Sequence, residues 1–307
     1  MDQMRTSRGA SEWACLIALV VIWGTAFAAI SIAVETIDPI WVVTGRIGIA
    51  AVGLTGWMCL GSILGGRGWR APFTGVNARA LAVLTLVGVV CTAVPFFLYA
   101  IAAETTPSAV LAICNGGTPM FTALLAHLLI PGDRMTSRRM IGVGLGFLGL
   151  AVLVGPEAFT DAGAGVTGLA AAIVGAALYA GGNIGTRLAP RLSPLTSSVI
   201  ITASGTALAL PAAFIMAPIP AGASMDSLAA VAFLGLLPTG LAMILYVWLI
   251  QRAGPMFVSF TTYLSPLWAT GIGLAFMNES ISASAFAALG LILAGVAVAN
   301  RNPGLRS

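Results

Sequence analysis

Residues 13–34 read WACLIALVVIWGTAFAAISIAV, a run of 22 positions without a charged side chain. A helix rises about 1.5 Å per residue, so such a run crosses the roughly 30 Å hydrocarbon core of a bilayer. Nine comparable stretches follow, at 39–64, 80–103, 107–130, 137–154, 165–186, 195–217, 226–250, 255–277 and 281–299. Turn chemistry separates them: Asp38-Pro39, Thr106-Pro107, Pro131-Gly132-Asp133, Gly155-Pro156, Gly254-Pro255 and Asn278-Glu279 among others. No linker is long enough to hold a soluble domain. The first run lacks a convincing small-residue cleavage site and more spans follow it, so it reads as a retained helix and not as a signal peptide. The expected fold class is an all-α integral membrane protein of ten transmembrane helices, numbered 1 to 10 in chain order.

Composition supports this. Apolar residues are 59% of the 307 positions and charged residues 8%, with a mean hydropathy of +1.01. A soluble domain has about a quarter of its residues charged, and disorder needs low hydrophobicity with high charge; both classes are excluded. All 14 basic residues are Arg. They form no dense run, so the positive-inside rule accounts for them better than a nucleic-acid surface does. With the N-terminus placed in the cytoplasm, 13 of the 14 fall in inside segments, and outside segments hold only Glu35, Asp38, Glu104, Glu157, Asp161, Asp226 and Glu279. Both termini are therefore expected in the cytoplasm of a bacterial inner membrane. The four cysteines (Cys15, Cys59, Cys91, Cys114) lie within apolar spans without metal-like spacing. They read as small hydrophobes, and no metal or cofactor is expected.

The chain also repeats itself. Leu98-Tyr99, Thr118-Pro119, Asp133, Thr136, Gly144 and Gly149 are answered by Leu245-Tyr246, Ser265-Pro266, Glu279, Ser282, Gly290 and Gly295, at an offset of 147 for the first two landmarks and 146 for the rest. This predicts two five-helix repeats, 1–156 and 157–307. Five is odd, so the second repeat is inverted relative to the first, an architecture of secondary transporters whose substrate site lies near the midplane between the repeats.

Ile22-Trp23-Gly24-Thr25-Ala26-Phe27, Pro39, Gly45-Arg46, Thr118-Pro119-Met120-Phe121, Asn278-Glu279-Ser280-Ile281-Ser282 and Gly290-Leu291-Ile292-Leu293-Ala294-Gly295 resemble, in order and spacing, the EamA-type transporters of the drug/metabolite transporter superfamily. The resemblance covers roughly 13–299. It implies ten helices and efflux of small metabolites, often amino acids, with the YddG-like aromatic amino-acid exporters as the nearest kind of member. Two departures are the acid before helix 5, which is Asp133, and Ser265, where Glu is frequent in the family.

Polar residues buried unpaired in a bilayer cost free energy, so they mark the pathway. Helix 4 places Ser108, Asn115, Thr118 and Thr122 near one face, and helix 9 does the same with Ser259, Thr262 and Ser265. The alternative is that they are ordinary small interface residues. Pro119 and Pro266 fall near the middle of these helices, and with Gly116 and Gly117 they are candidate hinges. Tyr99 and Tyr246 are repeat equivalents read as gates or stacking surfaces. Trp23, Tyr179, Tyr263 and Trp268 read equally as cavity or packing residues, and Asn183 in helix 6 is a further polar candidate. Trp13, Trp41 and Trp69 look like interface anchors.

Arg46 breaks the loop rule for arginine. It reads as a carboxylate contact or as a structural pair with Glu35, Asp38 or backbone carbonyls, and the structural reading is preferred. His127, the single histidine, is a candidate proton site or an interface residue. No acid lies at mid-depth in any span, which favours facilitated movement over proton coupling.

An intramembrane enzyme has almost nothing to be built from here, since hydrolysis needs a nucleophile with a base or a metal with several ligands. Carriers of phosphorylated sugars need several pore cations, and Arg46 alone is available. A channel differs from a carrier in flux. The expectation is a monomer-sized exporter of small metabolites, amino acids with aromatic or apolar side chains first, working by alternating access past helices 1, 3, 4, 6, 8 and 9. Amphiphilic drugs or a lipid-linked molecule are the alternative cargo, and the partners are the substrate and the lipid bilayer.

Overall fold

The computed structural model describes residues 9–66, 73–130, 135–154, 163–190, 192–253, 255–258 and 260–300. The side chains of Cys91, Arg187 and Tyr263, among others within helices, lie outside that description, as do Ser259, Trp69 and the proposed repeat boundary at 156/157. Among the described residues, ten helical stretches occupy the ten expected positions: helix 1 (Ala10–Val34), helix 2 (Pro39–Leu64), helix 3 (78–103), helix 4 (108–129), helix 5 (Ser137–Val154), helix 6 (Gly163–Leu188), helix 7 (Pro194–Met216), helix 8 (225–253), helix 9 (Pro255–Val258 and Phe260–Phe276) and helix 10 (Ala283–Asn300). Among the described residues, six helices are long and apolar enough to cross a membrane by length and composition. Their starts follow capping chemistry. Asp38 accepts from the Ile40 N–H ahead of Pro39, Asn77 from Ala80, Ser193 from Thr196 ahead of Pro194, and Ser224 from Ser227.

Helices 3 and 8 contain something the sequence reading did not anticipate. Each carries a π-helical segment, Val89–Ala93 in helix 3 and Gly235–Leu241 in helix 8. The offset of 147 carries 89–93 onto 236–240, so the two faults are repeat equivalents. In helix 8 the local cause is visible. The Leu234 carbonyl has Pro238 four residues on, which has no N–H to give. The Thr239 hydroxyl donates to that carbonyl instead, at 2.9 Å.

The packing obeys the repeat. The most extensive helix contacts are 5 with 10, 2 with 7, 4 with 9, and the pairs 3·6 and 1·8, 1·9 and 4·6, 2·8 and 3·7. Adding five to a helix number in the first repeat, or subtracting five in the second, maps this set onto itself. The correspondence extends to atoms at the crossing of helices 5 and 10. A Cβ on Gly149 would sit 3.0 Å from the Ala288 carbonyl oxygen and 3.2 Å from the Ile292 nitrogen. A Cβ on Gly295 would overlap the Gly142 carbonyl oxygen and lie 3.1 Å from the Gly146 nitrogen. Subtracting 146 from 295, 288 and 292 gives 149, 142 and 146. Without an aqueous phase to drive association, small residues that allow backbone approach hold such a pair together.

Glu279, read above as a linker acid, is a cap. Helix 9 ends with Asn278 in the left-handed region (φ 50°), and the Glu279 N–H reaches the Gly273 carbonyl at 3.0 Å. That turn sends the carboxylate onto the start of helix 4, where it accepts from the Ser108 N–H at 2.7 Å and the Ala109 N–H at 3.1 Å. A Cβ at Gly273 would overlap the carboxylate. Two otherwise orphaned donors and the positive end of a helix are satisfied by one acid. Glu279→Ala is expected to cost about 1–2 kcal/mol, read as a fall of roughly 2–4 °C in Tm in detergent. An unchanged Tm would remove the cap from the stability account.

Candidate functional site

A cavity of about 750 Å³ lies between the helices, and each of the ten contributes at least one wall residue. Of the residues singled out from the sequence, Trp23, Tyr99, Asn115, Thr118, Tyr179, Asn183, Tyr246, Thr262 and Ser265 line it, and so do Gly116, Pro119, Pro266 and Arg46. Gly117 and His127 are not among the wall residues. Tyr263 has its side chain outside the described set. Helices 2, 5, 7 and 10, absent from the expected pathway, reach the wall through Arg46, Arg139, Thr202 and Gly295 among others.

Helix 4 carries the polar strip. It breaks at Gly117 into Ser108–Gly116 and Thr118–Leu129, so Pro119 occupies the first turn of the second piece, where a missing N–H removes no intrahelical bond. The Asn115 Oδ1 accepts from the Tyr99 hydroxyl and from the Thr118 hydroxyl, both at 3.4 Å. The Thr122 hydroxyl donates to the Thr118 carbonyl at 2.9 Å and accepts from the Asn183 amide at 3.2 Å. On helix 9 the Pro266 ring stays within a continuous helix, Phe260–Phe276, and the buried Ser265 hydroxyl has no hydrogen-bond partner among the described residues.

Aromatic rings form the other strip. Phe27 meets Tyr99 edge-on at 5.8 Å, Tyr99 stacks on Tyr179 at 5.6 Å, and Tyr179 meets Phe96 at 5.9 Å. The strip ends beneath the guanidinium of Arg46, whose Cζ lies 3.7 Å from the Phe96 ring centre. Trp23 pairs with Tyr246 at 5.6 Å, and its indole N–H donates to the Pro238 carbonyl in the π segment of helix 8 at 3.1 Å. Helices 1 and 6 align at an offset of 156, which sets the buried Leu16, Val20 and Ala28 on the buried Ala172, Ala176 and Ile184. Trp23 then corresponds to Tyr179, as Tyr99 does to Tyr246 at 147, so Trp23–Tyr246 and Tyr179–Tyr99 are the same pair in the two repeats.

Arg46 departs from the structural reading preferred on sequence grounds. It is 8% exposed and among the described residues has no acid beside it. Its Nε donates to the Thr239 hydroxyl at 2.9 Å, and that hydroxyl in turn holds the Leu234 carbonyl. Asp38 instead caps its own helix, and Glu35 is exposed. Arg46 itself lines the cavity. Helices 2 and 7 align at an offset of 155, since a Cβ on Gly88 would meet the Ile201 carbonyl as one on Gly235 would meet the Arg46 carbonyl. Arg46 thus corresponds to Ile201, also on the wall, and the two-fold pattern breaks here in charge. It breaks again between helices 1 and 6, where Phe27 and Ile30 correspond to Asn183 and Thr186; all four line the cavity. One side is apolar and the other polar.

His127 is exposed, and its Nδ1 accepts from the Met135 N–H at 3.2 Å. Trp268, also exposed, donates to Thr25 at 3.0 Å where helices 1 and 9 cross. Neither faces the cavity. Phe27, Phe96, Thr202 and Thr239 line it but were not singled out from sequence. Phe27 is the equivalent of Asn183 at the offset of 156 between helices 1 and 6, a register that the sequence landmarks at 147 and 146 do not give. Nothing in composition marks Phe96.

The EamA-like transporter family model matches residues 11–155 and again 166–301. The chain belongs to that family. It is thus a membrane transporter, and the EamA-like unit occurs in it twice. Curated relatives are the "Uncharacterized inner membrane transporter YedA" of Escherichia coli strain K12, and the proteins of the same name in strains CFT073 and O157:H7. Each is 24% identical over 283 residues, covering 92% of this chain and 88% of its own. A solved crystal structure of a protein 20% identical in sequence superposes with a TM-score of 0.62 over 95% of this chain and 98% of its own, a likeness of fold.

Proposed function

We propose that this EamA-family transporter exports small metabolites bearing a carboxylate and an apolar or aromatic body, the class that includes aromatic and apolar amino acids. The observation that carries the proposal is Arg46: a buried cation on the cavity wall, without an acid beside it among the described residues, at the end of an aromatic strip. A guanidinium binds a carboxylate bidentately, and Tyr179, Tyr99 and Phe27 offer ring faces to the rest of the molecule. The arginine distribution supports cytoplasmic termini, relatives named inner membrane transporters support that membrane, and export is the direction that the resemblance to efflux members of the family implies.

The mechanism is alternating access between the two repeats. The Gly117 break beside Pro119 and the in-helix Pro266 are the points where helices 4 and 9 bend to expose the cavity to either side. His127 stands off the cavity, so no pH gradient is needed.

The test is uptake of labelled amino acids and their carboxylate analogues into proteoliposomes, with and without an imposed pH gradient. Saturable uptake of carboxylates in the absence of the gradient is expected. Uptake of none would move the reading to amphiphilic drugs or lipid-linked cargo.

A further inference from the structure

The described wall of the cavity carries charge of one sign. Arg46 and Arg139 line it, and no Asp or Glu does. The sequence explains why. Eight of the ten acids (Asp2, Glu35, Asp38, Glu104, Asp133, Glu157, Asp161 and Glu279) lie in the terminus or in stretches between the helices. The other two sit in the first turns of helices: Glu12 in helix 1, 3.7 Å from Arg252, and Asp226 in helix 8.

An ammonium entering this site therefore finds neutral acceptors only. The best placed, the Asn115 Oδ1, already accepts from two hydroxyls. A carboxylate, in contrast, meets a guanidinium whose one hydrogen bond is to a neutral hydroxyl. A buried charge without a counter-charge is costly on either partner, so a monoanion neutralises the buried Arg46, whereas a zwitterion exchanges one uncompensated cation for another.

Resting on the carboxylate reading above, we propose that the site selects a singly charged carboxylate lacking an ammonium group over the corresponding amino acid. Transport then carries one negative charge per turnover, and the membrane potential drives export. A cell interior negative to the outside pushes an anion outward. No titrating carrier group takes part.

The experiment uses proteoliposomes of the full chain with a potassium–valinomycin potential, comparing labelled 3-phenylpropanoate with phenylalanine, which share a skeleton and differ by the ammonium. Protein-free vesicles give the background. The anion is expected to have a kcat/KM at least about tenfold higher, the value of one charge interaction of modest strength. Its accumulation ratio is expected to change about 50-fold toward the positive side for a potential of roughly 100 mV, while phenylalanine does not respond. Arg46→Lys keeps the preference. Arg46→Gln brings the two compounds close to parity, with elution profile and Tm confirming the fold. Phenylalanine moving as well as or better than 3-phenylpropanoate overturns the inference and leaves the carboxylate reading standing. So does saturable anion flux indifferent to the potential. Saturable movement of neither compound overturns both.

Discussion

Gly295→Val is expected to leave almost no folded, monodisperse protein, while Gly290→Val leaves yield and Tm unchanged. Position 295 has no room for any side chain: its Cβ would overlap the Gly142 carbonyl oxygen, with the Gly146 nitrogen at 3.1 Å. These are backbone atoms and cannot rotate away, so helices 5 and 10 must separate along the most extensive helix contact in the protein. Overpacking of ordinary cores costs about 1–3 kcal/mol, and a clash with backbone belongs at or beyond the upper end, about 3 kcal/mol or more. Gly290 meets nothing within 4 Å, nor does Gly144, its repeat equivalent. The four substitutions Gly142→Val, Gly295→Val, Gly144→Val and Gly290→Val should thus split cleanly into two lethal and two silent ones by detergent size-exclusion yield and Tm. Wild-type behaviour of Gly295→Val would show that helices 5 and 10 do not cross at this point.

Arg46→Gln is expected to lower kcat/KM for a carboxylate substrate by about 10- to 100-fold without lowering Tm. A charge-assisted hydrogen bond contributes about 1.5–3 kcal/mol, which sets the size. The sign of the stability effect separates cargo binding from scaffolding. A buried arginine with an acid partner leaves that acid stranded when removed, at about 3–5 kcal/mol. Arg46 contacts a neutral hydroxyl and a ring, so its loss strands nothing charged, and Gln can still donate to Thr239. Arg46→Lys should recover part of the rate, since it restores the charge without the planar fork or its stacking on Phe96. A marked fall in Tm with transport intact would reverse the assignment.

Much of this was legible because a bilayer imposes coarse, additive rules. Apolar runs of fixed length gave the ten helical positions, and the matched landmarks gave the repeat. Polar stripes on helices 4 and 9 gave Asn115, Thr118, Thr262 and Ser265 as wall residues, because polarity in a span is costly unless used. Arg46 was legible as unusual and misjudged in partner. The sequence shows acids nearby at 35 and 38 but not that Asp38 is occupied with the Ile40 N–H. The cap made by Glu279 was hidden for a related reason: its partners are 171 and 170 residues away. The π segments had no signal of their own, because switching from i+4 to i+5 bonding needs no special composition, and Pro238 alone fits a plain kink equally well.

Those two segments also bear on how the chain tolerates change in length. A π turn holds one residue more than the α turn it replaces, so the helical surface after it is rotated by about one residue's step, roughly 100°. Tyr99 follows the segment 89–93, Tyr246 follows 235–241, and both reach the cavity with that rotation already included. Losing a single residue within either segment would take out that extra step, while Pro95 and Pro238 go on denying a backbone bond to the turn before them. Every side chain beyond it would then turn off the wall. The damage of such a deletion would thus come from the changed facing of the residues beyond it.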